Sequence, residues 1–256
     1  MAPLRCLLAG LVLAGAAAFP VGAVTGTAQQ VQFQSLDGTT IPASLYLPDG
    51  QPKGSVIALH GCSGLYATRG PRVGKLIARH EAMAAMLVAH GYAAIFPDSL
   101  TPRGESELCT QSLAGRRIGL ITRRADALGA LGWVAAQAWA RPDRIALLGW
   151  SHGGSAVLAA TDLARPVVRN YPVRPALAIA FYPGCGSILL SGYQPNAPLV
   201  LMLAELDDWT APGLCLELGK AVGAEVNVYR DSHHNFDNPA GSMQLRTDVP
   251  NGVNPG

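Results

Sequence analysis

The sequence predicts an α/β fold, a mostly parallel sheet flanked by helices on both faces. Three observations point there. Short continuous apolar runs recur at 56–59, 92–96, 145–148, 177–182 and 199–203, and a further strand is expected at 226–229. Helical patterns lie between most of them, the arrangement of strand–helix–strand units. Charged residues make up 14% of the chain and apolar ones 49%, which suits strands buried on both faces. A chain of 256 residues is long enough for one large domain with a proper core.

The elements follow in order. Val31 and Phe33 alternate with polar residues, Asp37-Gly38 marks a turn, and Ile41, Ala43, Leu45 and Leu47 alternate again. This predicts an antiparallel hairpin. The run at 56–59 is then followed by a helix over 75–90, with Gly91 placed as its C-terminal cap. After the run at 92–96 comes a long helix over 116–140, stopped by Pro142. The run at 145–148 leads into a helix from about Ser151, and a further helix is expected over 212–222. No helix is legible in the polar, Gly- and Pro-rich stretch "NPAGSMQLRTDVPNGVNPG" at the end.

The first residues read as an export leader. Arg5 supplies positive charge, 7–19 is apolar, and Pro20 ends the run. Small residues at Val21-Gly22-Ala23 or Gly26-Thr27-Ala28 offer cleavage sites. The expectation is a signal peptide over 1–23, with cleavage as late as 28, and one domain over 29–256. The run is too short for a stable membrane span, so the mature chain is expected to be periplasmic or extracellular. Cys6 precedes the run and does not look like a lipidation site. Beyond the leader lie Cys62, Cys109, Cys185 and Cys215. An even count in an exported chain suggests two disulfides, and three pairings are open; four buried thiols are the alternative. The formal net charge of +2 is too small to imply nucleic-acid or acidic-lipid partners. The one basic cluster, Arg116, Arg117, Arg123 and Arg124, reads as a solvated helix face.

Gly149-Trp150-Ser151-His152-Gly153 matches G-x-S-x-G. The pattern alone is weak, but here it follows a buried strand and opens a helix, the setting of a nucleophile elbow. Ser151 is then the candidate nucleophile, held near a helix N-terminus whose dipole favours developing negative charge. A serine hydroxyl needs a base. His80 and His90 lie on a predicted helix, His60 ends a strand, and His152 is too near in sequence to fold back on the serine. That leaves His233 and His234, after the last strand. The acid is expected after the preceding strand, in "AELDDWTAP", from Glu205, Asp207 or Asp208. Serine, acid, histidine is the chain order that fits this type of elbow. The backbone N–H groups of His152, after the nucleophile, and Cys62, in the loop Gly61-Cys62-Ser63-Gly64, are the expected oxyanion donors.

With these residues in hand, the chain resembles the dienelactone hydrolase family of the α/β-hydrolase fold, in an exported branch with serine as nucleophile. The resemblance runs from about Ser55 to Asp237, on "LHGCSGL", "PDSLTPRG", "LLGWSHGG", "FYPGC", "AELDDWTAP" and "HHNFD". It implies Asp207 as the acid and His234 as the base, with Asp208 and His233 as bystanders. It also implies an ester or lactone as substrate, with no metal and no organic cofactor. Dienelactone hydrolase itself has cysteine in the elbow where this chain has Ser151, so its substrate does not carry over. The family fold usually continues into a helix after the histidine loop, and that helix is missing from the pattern here. On this fold the pairs Cys62–Cys109 and Cys185–Cys215 would tie loops around the pocket.

Arg103, in "TPRG", is a candidate for gripping a substrate carboxylate; its alternative is a loop-anchoring salt bridge with Asp98 or Glu105. Trp150 and Trp209 flank the proposed site and are candidates to line it. Two other functions compete with the esterase: a peptidase on the same fold, and a binding protein that keeps the fold without catalysis. A metal site from His233, His234 and Asp237 lacks H-E-x-x-H and a further ligand.

Overall fold

The computed structural model describes residues 28–239 and 246–250. The leader expected over 1–23 lies outside the described residues. A hairpin opens the fold, β1 (Gln29–Gln34) against β2 (Thr40–Tyr46), antiparallel. Its turn needs Gly38, which has φ 85°, where a side chain would be strained. Then follow β3 (Ser55–Leu59), α1 (Ala78–Ala89), β4 (Ala93–Pro97), α2 (Leu120–Ala135), β5 (Ile145–Trp150), α3 (His152–Ala160) and α4 (Pro166–Arg169). The chain continues through β6 (Leu177–Phe181), α5 (Gly186–Leu190), β7 (Leu199–Ala204), α6 (Gly213–Val222) and β8 (Glu225–Tyr229). The eight strands form one sheet in the order β1-β2-β4-β3-β5-β6-β7-β8. β2 joins β4 antiparallel, and every pair from β4 to β8 is parallel.

Strand residues alternate between two apolar layers, as the two-residue period of a strand requires. Ile57, Ile95, Leu147, Ala180 and Leu201 face a layer filled by residues of α2, α3, α5 and α6. Val56, Ala94, Phe96, Leu148 and Trp150 face the other, with Ala84 of α1. Among the described residues no helix follows β8. Near that end of the second face, Phe236 of the loop after β8 stacks on Tyr229 at 4.4 Å between ring centroids and meets Tyr182 edge-on at 5.6 Å.

Two expectations need correcting. The long helix begins at Leu120 rather than 116 and ends at Ala135 rather than 140, because Gly119 is extended and Ala136–Ala140 tighten into turns. The basic cluster is not a solvated face: Arg117 is exposed, but Arg123 is fully buried. Its position on the inner side of α2, next to α3, leaves it no route to water.

Candidate functional site

The loops after the parallel strands meet at the carboxyl edge of the sheet. Ser151 sits between β5 and α3 with φ 52° and ψ −117°. That conformation costs a non-glycine residue about 1–3 kcal/mol and persists only when its surroundings over-determine it. Here the surroundings are close. A Cβ on Gly149 would run into the carbonyl of Gly153, and one on Gly153 into the carbonyls of Leu59 and His60. The glycines of G-x-S-x-G therefore let α3 start directly against the ends of β3 and β5. The Ser151 N–H donates to the Phe181 carbonyl at 2.9 Å, tying the elbow to the end of β6. His152 is the first residue of α3, so its N–H has no partner within the helix. A Cβ on Gly61 would lie 3.5 Å from Cβ of Ser151, which puts the Gly61-Cys62 step beside the serine.

Asp207, buried after β7, is held by its own loop. Oδ1 accepts from the backbone N–H of Trp209 at 2.9 Å and Thr210 at 3.0 Å. Oδ2 lies 2.7 Å from Nδ1 of His234. Burial alone would raise the carboxyl pKa, but the bond to His234 and the two backbone donors outweigh it and the net shift is downward. Asp207 is thus a carboxylate, and Nδ1 of His234 is the protonated ring nitrogen, which leaves Nε2 to accept a proton. The His234 ring packs against Tyr182, at 4.5 Å, and Trp209, at 4.9 Å. Tyr182 directly follows Phe181, the acceptor of the Ser151 N–H. Asp208 and His233 are exposed.

The sequence reading missed Thr210. Its hydroxyl lies 3.0 Å from the Tyr182 carbonyl, 3.0 Å from Oδ2 of Asp207 and 3.2 Å from Nδ1 of His234, and its single proton serves one of the two oxygens. The legible signal was its place three residues after Asp207, where a side chain readily closes a turn.

Beneath the Gly61-Cys62 loop, His60 is fully buried. Nδ1 donates to the Gly61 carbonyl at 2.8 Å and Nε2 accepts from the Ser99 N–H at 3.2 Å, the pattern of a neutral ring. Burial, then the nearby Arg123, push its pKa well below the ordinary value. Arg123 donates to the His60 carbonyl at 2.8 Å and approaches Nδ1 of His152 at 3.5 Å. Burial and Arg123 push His152 down to about 3, so that ring too stays neutral.

Both disulfides, Cys62–Cys109 and Cys185–Cys215, are present. The first lies in an apolar cluster with Leu100, Leu108, Ile118 and Val249, against which Trp209 packs. Two of the suggested substrate contacts are not free to serve. The Arg103 guanidinium is spent on Asp126, Asp37 and the Ser99 carbonyl; the anchoring partners are neither Asp98 nor Glu105. Trp150 is fully buried, because the inward position before the elbow turns it into the core rather than toward a pocket. Trp209, half-buried against His234, remains at the site. A cavity of about 350 Å³ adjoins the histidine loop, with Ser63, Ala67, Ile77, Arg79 and Asn235 among its walls.

The strand order, the tight turn at the end of β5 and the helices on both faces of the sheet define a chain of the α/β-hydrolase fold. The sequence model of the dienelactone hydrolase family matches residues 41–249, and the chain belongs to that family, which places it among hydrolases. Solved structures agree on the fold. A provisionally assigned dienelactone hydrolase from Klebsiella pneumoniae subsp. pneumoniae MGH 78578 superposes with a TM-score of 0.63 at 17% identity, over 87% of this chain and 93% of that one. Esterase 2 of Thermogutta terrifontis, phosphoramylated by tabun, gives 0.61 at 16% identity, over 88% of this chain and 90% of its own. A puromycin hydrolase gives 0.62 at 18% identity, over 86% of this chain but only 38% of its own. No match is found among curated protein sequences.

Proposed function

We propose that this protein is a serine hydrolase that cleaves a carboxylic ester or lactone through an acyl-enzyme. The reading is carried by the 2.7 Å bond between Asp207 and His234, with the His234 ring packed at a tilt against Tyr182, the residue after the Phe181 carbonyl that holds the Ser151 N–H. Oγ of Ser151 attacks the carbonyl carbon while Nε2 of His234 takes its proton. The proton passes to the leaving alcohol as the tetrahedral intermediate collapses. Asp207 holds the ring through Nδ1 and stabilises its charged form. The N–H groups of His152 and Cys62 receive the oxyanion, each such donor contributing about 3 kcal/mol to the transition state. Water then attacks the acyl-enzyme by the same steps, with His234 as base and then acid. None of these steps calls for a metal or organic cofactor, and the substrate is a small molecule. The active chain is a single domain over 29–256 that follows a signal peptide over 1–23 and is exported; two disulfides suit an oxidising compartment.

The test is labelling with a fluorophosphonate probe. Wild type is expected to label and Ser151→Ala is not. Labelling that persists in Ser151→Ala removes the serine from its role, and folded wild type that does not label turns the reading toward a binding protein. Nitrophenyl esters set against peptide arylamides separate the esterase from a peptidase, which is expected to prefer the arylamides.

A further inference from the structure

We propose that Asp237 is a positioning residue that fastens the His234 loop to the residue preceding Ser151, and so sets the base against the nucleophile. The inference rests on the roles given above to Ser151 and His234. Oδ2 of Asp237 accepts from Nε1 of Trp150 at 2.7 Å, and Oδ1 accepts from the Tyr182 hydroxyl at 2.6 Å. Trp150 is the last residue of β5, adjacent to Ser151. Tyr182 carries the ring on which His234 rests. One carboxylate thus binds the nucleophile's strand with one oxygen and the base's platform with the other.

The same carboxylate has a cationic neighbour. Nε of Arg79 lies 3.4 Å from Oδ1, and the other end of that guanidinium donates to Oδ1 of Asn235 at 2.8 Å. The residues one and three places beyond His234 are therefore both held by α1. Trp150 and Tyr182 are fully buried, with 0% and 1% of their surface exposed. Their polar hydrogens have little water to turn to, and a buried indole N–H needs an acceptor.

The loop needs such an anchor. Asp231 and Asn235 both have positive φ, 53° and 69°, so the chain turns sharply on either side of His234, in the left-handed region that Asp and Asn enter as single residues. Among the described residues no helix continues the chain after β8 to press the loop down. Its ties to the rest of the fold include backbone bonds at Glu205 and Leu206, both before His234. Beyond His234 the hold includes the side chains of Asn235, Phe236 and Asp237. A misplacement of about 1 Å in a reacting group costs on the order of 100-fold in rate.

The experiment is a double-mutant cycle on turnover of p-nitrophenyl acetate, with thermal unfolding followed in parallel. Asp237→Ala is expected to lower kcat about 100-fold with KM within about twofold, and Tyr182→Phe to lower kcat less. In the His234→Ala background Asp237→Ala is expected to cost nothing more, since a residue that acts only through the histidine has nothing left to act on. Wild-type kcat in Asp237→Ala overturns the inference, and so does a loss of equal size in both backgrounds, which marks a purely structural role. If Asp237→Ala does not fold, Tyr182→Phe carries the same cycle, because it removes one hydroxyl and keeps the ring. Full activity in His234→Ala overturns the reading of the base itself, whereas a dead His234→Ala beside an unaffected Asp237→Ala overturns this inference alone.

Discussion

Arg103 grips Asp126 with both arms of its guanidinium, Nη2 to Oδ1 at 2.8 Å and Nη1 to Oδ2 at 3.0 Å. It also reaches Asp37, in the turn between β1 and β2, at 2.8 Å. The carboxylate that this arginine was suited to bind belongs to α2 of its own chain. Asp126 is fully buried, and removing one partner of a buried pair strands the other charge at a cost of about 3–5 kcal/mol. Arg103→Ala should lower the melting temperature by roughly 10 °C and leave KM for esters within about twofold. An unchanged melting temperature with a raised KM would return Arg103 to the substrate.

Asp207 and Asp208 are neighbours in sequence and opposites in setting: the first is buried on His234, the second faces solvent. Asp207→Asn presents an amide where Nδ1–H needs an acceptor and favours the wrong tautomer. It should lower kcat about 10⁴-fold, while Asp208→Asn stays within about twofold of wild type. Steady-state kinetics of the two variants decides, and a loss confined to Asp208→Asn would reverse the assignment.

The two disulfides close loops of similar length, with separations of 47 and 30 residues. Each should contribute roughly 4 kcal/mol through the unfolded chain. Their effects on activity should differ. Cys62 follows Gly61, which abuts Ser151, so replacing Cys62 and Cys109 by serine should lower both stability and kcat. Replacing Cys185 and Cys215 should lower stability and leave kcat nearly intact. Denaturant unfolding and ester turnover on the two double variants measure both quantities; equal losses of kcat would contradict the expected difference.

Three histidines, His60 and His80 fully buried and His152 half-buried, predict acid sensitivity. His80 and His152 are each pushed down to about 3, by burial first and then by Arg79 and Arg123 respectively, and His60 is pushed well below its ordinary value. The unfolded chain binds protons near pH 6.5 that the folded chain refuses. The stability is thus fully present above about pH 6.5 and is lost as pH falls from there toward the folded values. Each histidine adds a slope of about 1.4 kcal/mol per pH unit in that window. Asp37, lowered to about 2, and Asp207, also lowered, lose their contributions as pH falls below the ordinary carboxylate value near 3.8, beneath the range from pH 6 to 4 where the histidines are read. Urea unfolding between pH 6 and 4 should show the slope, and His80→Asn, which keeps a donor for the Leu65 carbonyl, should make it shallower. A slope unchanged by His80→Asn would show that His80 is not among its sources.

The sequence by itself determined what short-range physics encodes. Apolar runs of strand length, alternation in the first hairpin, Gly38 at its turn and the close-packed glycines around Ser151 depend on neighbours a few residues away. So the α/β class, the strands and the tight turn at Ser151 are legible in the sequence alone. The cover over the end of the second face was not, because Phe236 belongs to no periodic pattern. Nor was the burial of Arg123, since a run of arginines reads the same whether its helix lies on water or on α3. The tertiary structure alone decided partners: Arg103 with Asp126, Trp150 with Asp237 across 87 residues of sequence, Arg79 with Asn235 across 156. A charged or polar side chain fixes its own chemistry, but which group it meets depends on how distant loops dock, and no local pattern records that.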